Sequence, residues 1–147
     1  MGKGFLSDEQ RRALHHVKVP PGELDLERFP DFFIAGPQRT GSTWLHKHLR
    51  WHPELFCPHP KEVFFFSRLK TPEHPGYSSS SLGYYLSLFR DPPWLWGLKQ
   101  AHCLARYGRP YRPSIWGEAT ASYAALDQDV IAEVAALNPL IKVIIMV

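Results

Sequence analysis

The apolar positions along this chain fall into two patterns, short continuous runs and stretches with helical spacing. Phe32-Phe33-Ile34-Ala35 is a continuous run, as expected of a strand covered on both faces. Leu140 to Val147 is a second such run, interrupted only by Lys142. Ile115-Trp116-Gly117-Glu118 reads as a third, shorter strand that ends at Glu118. Between them lie helical patterns. Leu45 and Leu49 are four residues apart and predict a buried face on a helix that begins after Gly41 and ends near Arg50 or Trp51, ahead of Pro53. On this reading His46, His48 and His52 lie on that helix's surface. Leu82 to Phe89 places Tyr85, Leu86 and Phe89 on one side of a second helix. Asp127 to Asn138 is a third, with Val130, Val134 and Leu137 as its apolar stripe, Asp127 as its cap and Asn138-Pro139 as its stop. Strands alternating with helices predict an α/β fold with a parallel central sheet.

Other stretches are less regular. Ser7-Asp8-Glu9-Gln10 predicts a capped helix running to about Val17, before Pro20-Pro21-Gly22 breaks the chain. Residues 1–30 read as a peripheral segment ahead of a domain spanning 31–147. The prolines of Pro58-His59-Pro60 keep the backbone extended, and Phe64-Phe65-Phe66 is short, β-favouring and apolar enough to be buried. Arg90 to Pro113 mixes prolines and aromatics with Lys99, Arg106, Arg109 and Arg112. It reads either as a surface for a sugar or other polar anion, or as a plain surface loop over a helix.

Composition narrows the class. A length of 147 residues fits one domain, and 44% apolar residues are enough for a core. A net charge of +3 permits an anionic ligand, but there is no basic run of the kind that nucleic acid binding demands. Cys57 and Cys103 lack metal-ligand spacing and read as free thiols. No segment approaches the length of a membrane span, and the N-terminus lacks a signal peptide's apolar core. The expectation is a cytoplasmic protein without membrane contact, a lumenal domain cut from its anchor being the alternative.

The candidate chemistry lies after the first strand, in Gly36-Pro37-Gln38-Arg39-Thr40-Gly41-Ser42-Thr43-Trp44. Two glycines bracket a tight loop, and hydroxyls follow at a helix start, where backbone N–H groups lack partners. Such a terminus attracts anions, phosphate above all. A nucleoside-triphosphate loop has Gly, four residues, then Gly-Lys-Ser/Thr. Here the glycine spacing matches, but Ser42 stands in the lysine's place, which argues against a kinase. The loop's cation, Arg39, lies before the second glycine instead. A strand–turn–helix without any ligand is the bland alternative.

This segment resembles the 5′-phosphosulfate loop of sulfotransferases that use 3′-phosphoadenosine 5′-phosphosulfate (PAPS), in particular bacterial enzymes and the domains that modify heparan sulfate. The resemblance implies a P-loop-type three-layer α/β fold with a central parallel sheet. It implies that Thr40, Gly41, Ser42, Thr43 and Trp44 hold the 5′-phosphate end of PAPS, while Arg39 stabilises the leaving group, with no metal. Glu62-Val63-Phe64-Phe65-Phe66 is similar to the family's glutamate–apolar–x–Phe–Phe segment, which implies Glu62 as the base for the acceptor. From the residues alone, Glu62 is equally a base at the edge of an apolar wall or half of a surface ion pair with Lys61. The histidine that several relatives carry two residues later is Phe64 here. Gly83-Tyr84-Tyr85-Leu86 is similar to a family helix, and Glu118-Ala119-Thr120-Ala121-Ser122-Tyr123 to a family segment whose proline is Ala121 here. Thr120 and Ser122 are expected to line the cleft.

In the family, the strand corresponding to Leu140–Val147 leads to an arginine and a serine that bind the cofactor's 3′-phosphate. The sequence here ends at Val147, so the resemblance covers the N-terminal part of such a domain, and a fold truncated after a core strand is the expectation. The implied function is transfer of a sulfuryl group from PAPS to a hydroxyl or amine of a small-molecule or glycan acceptor. The alternatives are a P-loop kinase or nucleotide phosphotransferase, and a non-catalytic phosphate-binding module.

Overall fold

A computed structural model describes residues 3–59 and 61–147; Pro60, part of the stretch expected to be extended, lies outside the described residues. Among the described residues four strands form one parallel sheet: β1 (Phe32–Ala35), β2 (Leu55–Phe56), β3 (Ile115–Ala119) and β4 (Lys142–Ile145), in the order β2-β3-β1-β4. β1 is central, pairing with β3 from Phe32↔Gly117 to Ile34↔Ala119 and with β4 from Phe32↔Lys142 to Ala35↔Ile145. Its four side chains are all buried, as a run without polar interruption requires. The helices are α1 (Asp8–Ala13), α2 (Ser42–Leu49), α3 (Leu82–Ser87), α4 (Pro93–Tyr107) and α5 (Gln128–Leu137). The expected α/β class with a parallel sheet is what the chain adopts. Among the described residues no helix is long and apolar enough to cross a membrane.

One face of the sheet is packed by an aromatic cluster. Phe33 of β1 meets Phe66 and Tyr123, and Tyr85 of α3 stacks on Phe65 with ring centroids 4.5 Å apart. The other face holds Phe32, Ile34, Cys57 and Ala119, with Leu45 and Leu49 of α2 against them. The register puts Phe32 beside Gly117, and its ring lies over the glycine, where an added Cβ would meet ring atoms at 2.0–2.4 Å. A residue with no side chain is therefore built into the middle of β3 because an aromatic ring occupies the space.

Several elements differ from expectation. α1 has the expected capping box, Ser7 Oγ accepting from the Gln10 amide and Gln10 Oε1 from the Ser7 amide, but it stops at Ala13. The backbone amides of His15, His16 and Val17 instead donate to the buried carboxylate of Glu133 on α5. The segment read as peripheral sends Leu6, Val17, Leu26 and Phe29 into the main core, because those side chains complete the aromatic face. Phe64-Phe65-Phe66 is not a strand: Glu62 and Phe64 sit at φ 70° and 61°, and the chain turns into a 3-10 turn at Phe66–Arg68. Phe65 and Phe66 are nonetheless buried, as expected. Arg90–Pro113 contains α4, the longest helix, which starts on Pro93, where a missing N–H costs nothing, and closes on Gly108 in the left-handed region. β4 is an edge strand, and its side chains are exposed because, among the described residues, no helix covers it on both faces.

Substituting Gly117→Val forces the Phe32 ring out of its place. The expected cost is about 2 kcal/mol, in the range for overpacking a core, read as a lowered urea midpoint with an unchanged m-value. In a Phe32→Ala background the same substitution should cost less, because the clashing ring is gone.

Candidate functional site

The site is assembled at the carboxyl ends of β1 and β3. β1 leads into the loop at Gly36, which has φ 129° and lies so close to the end of β4 that a Cβ there would stand 3.0 Å from the Met146 carbonyl oxygen. Arg39, exposed, sits at φ 66°, and Gly41 at φ 92° begins α2 without a side-chain cap. From Gln38 to Trp44 no backbone amide donates to an acceptor among the described residues. The first amide of this helix to do so is Leu45, bonded to the Gly41 carbonyl at 3.0 Å. Thr40 Oγ1 donates to the Pro37 carbonyl at 2.8 Å and ties the loop to itself. Ser42 is buried, while Thr43 and Trp44 are exposed, Trp44 lying over the His48 ring with centroids 4.1 Å apart. A row of unpartnered amides at a helix start, with one cation and adjacent hydroxyls, is a chemical match for an esterified phosphate.

Glu62 reaches the same edge by another route. Its amide donates to the Ala119 carbonyl at 2.9 Å, which extends the ladder from the end of β3. Its carboxylate accepts from the Ala121 amide, at 3.1 Å for Oε2, and the Ala121 carbonyl accepts from the Gly36 amide at 3.3 Å. One residue, Ala121, therefore joins the predicted base to the first glycine of the predicted phosphate loop. Lys61 Nζ lies 2.9 Å from Glu62 Oε1, so the ion pair weighed as the alternative is also formed. Glu62 opens onto a cleft of about 200 Å³ lined by His59, Ser78 and Tyr84.

Beneath Glu62 is a network that the sequence reading did not anticipate. Glu118 is fully buried at the end of β3. Tyr85 donates to its Oε2, and Thr120 Oγ1 donates to its Oε1 at 2.7 Å. Thr120 Oγ1 in turn accepts from the Val63 amide at 3.2 Å, and Tyr123 O–H accepts from the Phe66 amide at 3.2 Å. Thr120 is thus buried rather than lining an open cleft, and Ser122 turns away to share a 2.9 Å hydrogen bond with Ser67. The reason is that the 3-10 turn at Ala121–Ala125 redirects the chain directly after β3. No spacing signals that two tyrosines converge on one glutamate. His46, expected at the helix surface, is buried, its Nε2 2.9 Å from the Pro58 carbonyl, and burial pushes its pKa down. Among the described residues no cluster of His, Cys, Asp or Glu could hold a metal ion.

Burial pushes the Glu118 carboxyl up to about 7, against the opposing pull of the hydrogen bonds from Tyr85 and Thr120. The folded chain then holds a proton that the unfolded chain releases near the ordinary glutamate value. Between those two values the folded state binds more protons, so stability falls as pH rises and the full loss is reached above pH 7. The loss amounts to at most about 3 kcal/mol. Urea unfolding of the parent and of Glu118→Gln should show the parent losing stability relative to the variant between pH 5 and pH 8; a pH-independent difference would remove Glu118 from this account.

Comparison with known proteins follows the same line. No model of a known protein family matches the chain. Human bifunctional heparan sulfate N-deacetylase/N-sulfotransferase 3 is 40% identical over 58 residues, 36% of this chain and 7% of that protein. The human type 2 enzyme is 30% identical over 82 residues, 52% of this chain and 8% of that protein. The chain thus spans less than a tenth of the length of these relatives. Among solved structures, a sulfotransferase from Alicyclobacillus acidocaldarius aligns with 79% of this chain and 43% of its own, at 27% identity and a TM-score of 0.44. Over part of its length the chain is thus similar in sequence to heparan sulfate N-sulfotransferases.

Proposed function

We propose that this chain carries the phosphosulfate-binding and proton-accepting part of a PAPS-dependent sulfotransferase site, acting on a hydroxyl or amine of a glycan. The observation that supports this most directly is the link through Ala121, which holds Glu62 and Gly36 on one edge of the sheet. A base and an anion cradle must lie side by side if an acceptor is to be deprotonated as it is attacked. The relatives' names include heparan sulfate N-sulfotransferase, which supports sulfuryl transfer to a saccharide.

The residues fit a 5′-phosphosulfate better than a nucleoside triphosphate. The amides from Gln38 to Trp44 have no internal acceptor, and Gly36 and Gly41 leave the loop free of Cβ atoms at its two bends. The lysine that would reach a terminal phosphate is Ser42, and it is buried. PAPS supplies the sulfuryl group. Thr40, Gly41, Ser42, Thr43 and Trp44 bind and orient the phosphate through backbone N–H and hydroxyl groups. Arg39 holds positive charge at the loop where a phosphate oxygen gains negative charge. Glu62 takes the acceptor's proton on its carboxylate, with the Ala121 amide fixing its orientation and Lys61 balancing its charge.

Calorimetric titration with adenosine 3′,5′-bisphosphate, compared with Mg-ATP, tests the cradle. The bisphosphate should bind more tightly, and Arg39→Ala should weaken it roughly tenfold or more, the scale of one lost charge-assisted contact. Preference for Mg-ATP would turn the assignment to a phosphotransferase. Glu62→Gln should slow transfer to an amino-sugar acceptor by roughly 100-fold or more while leaving bisphosphate affinity unchanged. If Glu62→Gln mainly weakens bisphosphate binding, the carboxylate is not the base. Binding without turnover in the parent chain would support a phosphate-binding module.

A further inference from the structure

A larger cleft, of about 520 Å³, lies away from the phosphate loop, where the chain enters β3. Arg28, Arg90, Arg112, Trp96, Tyr111 and Trp116 are among its walls. Trp116 sits near the amino end of β3, paired with Phe56 of β2, and Arg112 precedes the strand with its amide bonded to the Pro53 carbonyl at 2.7 Å. Gly36 and Glu62 belong to the opposite, carboxyl ends of β1 and β3.

The charges in this cleft are unbalanced. Its three arginines are exposed, and none has a carboxylate within ion-pair distance among the described residues. Its one carboxylate, Asp91, is already spent: both oxygens lie 3.0 Å from Lys99 Nζ, and Oδ2 also accepts from Tyr111 O–H at 3.0 Å. Lys99 and Tyr111 are buried, and Gln100 clamps the Tyr111 backbone through its carbonyl at 2.6 Å and its amide at 3.1 Å. The floor is therefore a hydrogen-bonded polar network, while the rim carries exposed positive charge. Trp96 is 51% exposed on α4, an expensive position for a large apolar ring without a partner.

We infer that this cleft is a second binding site, for an acidic saccharide: the face of Trp96 receives the ring of one sugar residue, and Arg90 and Arg112 receive its carboxylate or sulfate groups. An aromatic face selects the apolar side of a pyranose, and the planar guanidinium fork matches a carboxylate or sulfate. A neutral sugar satisfies only the first demand. The binding does not depend on the transfer chemistry and holds whether or not Glu62 is a base.

The test uses the full chain and tetragalacturonate, with cellotetraose as the neutral partner of equal length, read by tryptophan fluorescence and calorimetry. Tetragalacturonate should bind, cellotetraose should bind at least tenfold more weakly, and the acidic ligand's affinity should fall as salt is raised. Arg90→Ala with Arg112→Ala should weaken tetragalacturonate roughly tenfold or more, and Trp96→Ala should weaken it and remove the fluorescence change. Both arginines are exposed, so circular dichroism should show the fold retained. Saturating adenosine 3′,5′-bisphosphate should leave the saccharide affinity unchanged, which separates this cleft from the loop. Equal affinity for the two tetrasaccharides, no binding of either, unchanged affinity in the double variant, displacement by the bisphosphate, or tighter binding of a short single-stranded DNA would each overturn the inference.

Discussion

The site depends on one residue whose backbone is engaged from two directions. Ala121 offers its carbonyl to the Gly36 amide and its amide to the Glu62 carboxylate. Neither partner is near the other in sequence. A buried amide without an acceptor costs about 1–3 kcal/mol, so the three segments are held in one arrangement. This explains why a non-glycine residue persists at φ 70° at position 62, a conformation that is costly for any side chain other than glycine. The strained backbone is offset by the ladder bond to Ala119 and by the carboxylate's grip on Ala121.

Glu118 adds a second layer to the same constraint. A fully buried carboxyl is expensive, and here it is surrounded by donors from α3 and from the turn after β3. Through Thr120 it fixes the Val63 amide, directly after Glu62. The two glutamates thus have different tasks. Glu118 is sealed in the core and sets the path of the chain, whereas Glu62 opens onto a cleft and is partly exposed to solvent.

The class of fold was readable because it rests on strong local signals. Phe32–Ala35 has no polar residue, Val130, Val134 and Leu137 keep helical spacing, and two glycines bracket the loop. The errors came where tertiary contacts overrode such signals. His46 looked polar on a helix surface, but the Pro58 carbonyl gives its ring a buried partner. The three phenylalanines were readable as a buried, β-favouring segment, and Phe65 and Phe66 are buried, but positive φ at Glu62 and Phe64 turns the chain out of extended geometry. Two prolines disguised the longest helix, since Pro92 and Pro93 mark its beginning and not its absence. The loop and Glu62 were each readable as motifs. That Ala121 joins them was not, because alanine carries no chemical signal and acts here only through its backbone.

The close approach of Gly36 to Met146 has one more consequence. The Met146 amide bonds to the Ala35 carbonyl at 3.3 Å, its carbonyl crowds Gly36, and its methyl group lies 3.6 Å from where a Cβ of Gly41 would be. Both glycines of the loop thus lie against Met146, directly after β4. A thioether side chain can follow small movements of such a loop better than a branched one. The path of the residues after β4 and the conformation of the loop after β1 are therefore set by the same contacts, and a change in one is felt in the other.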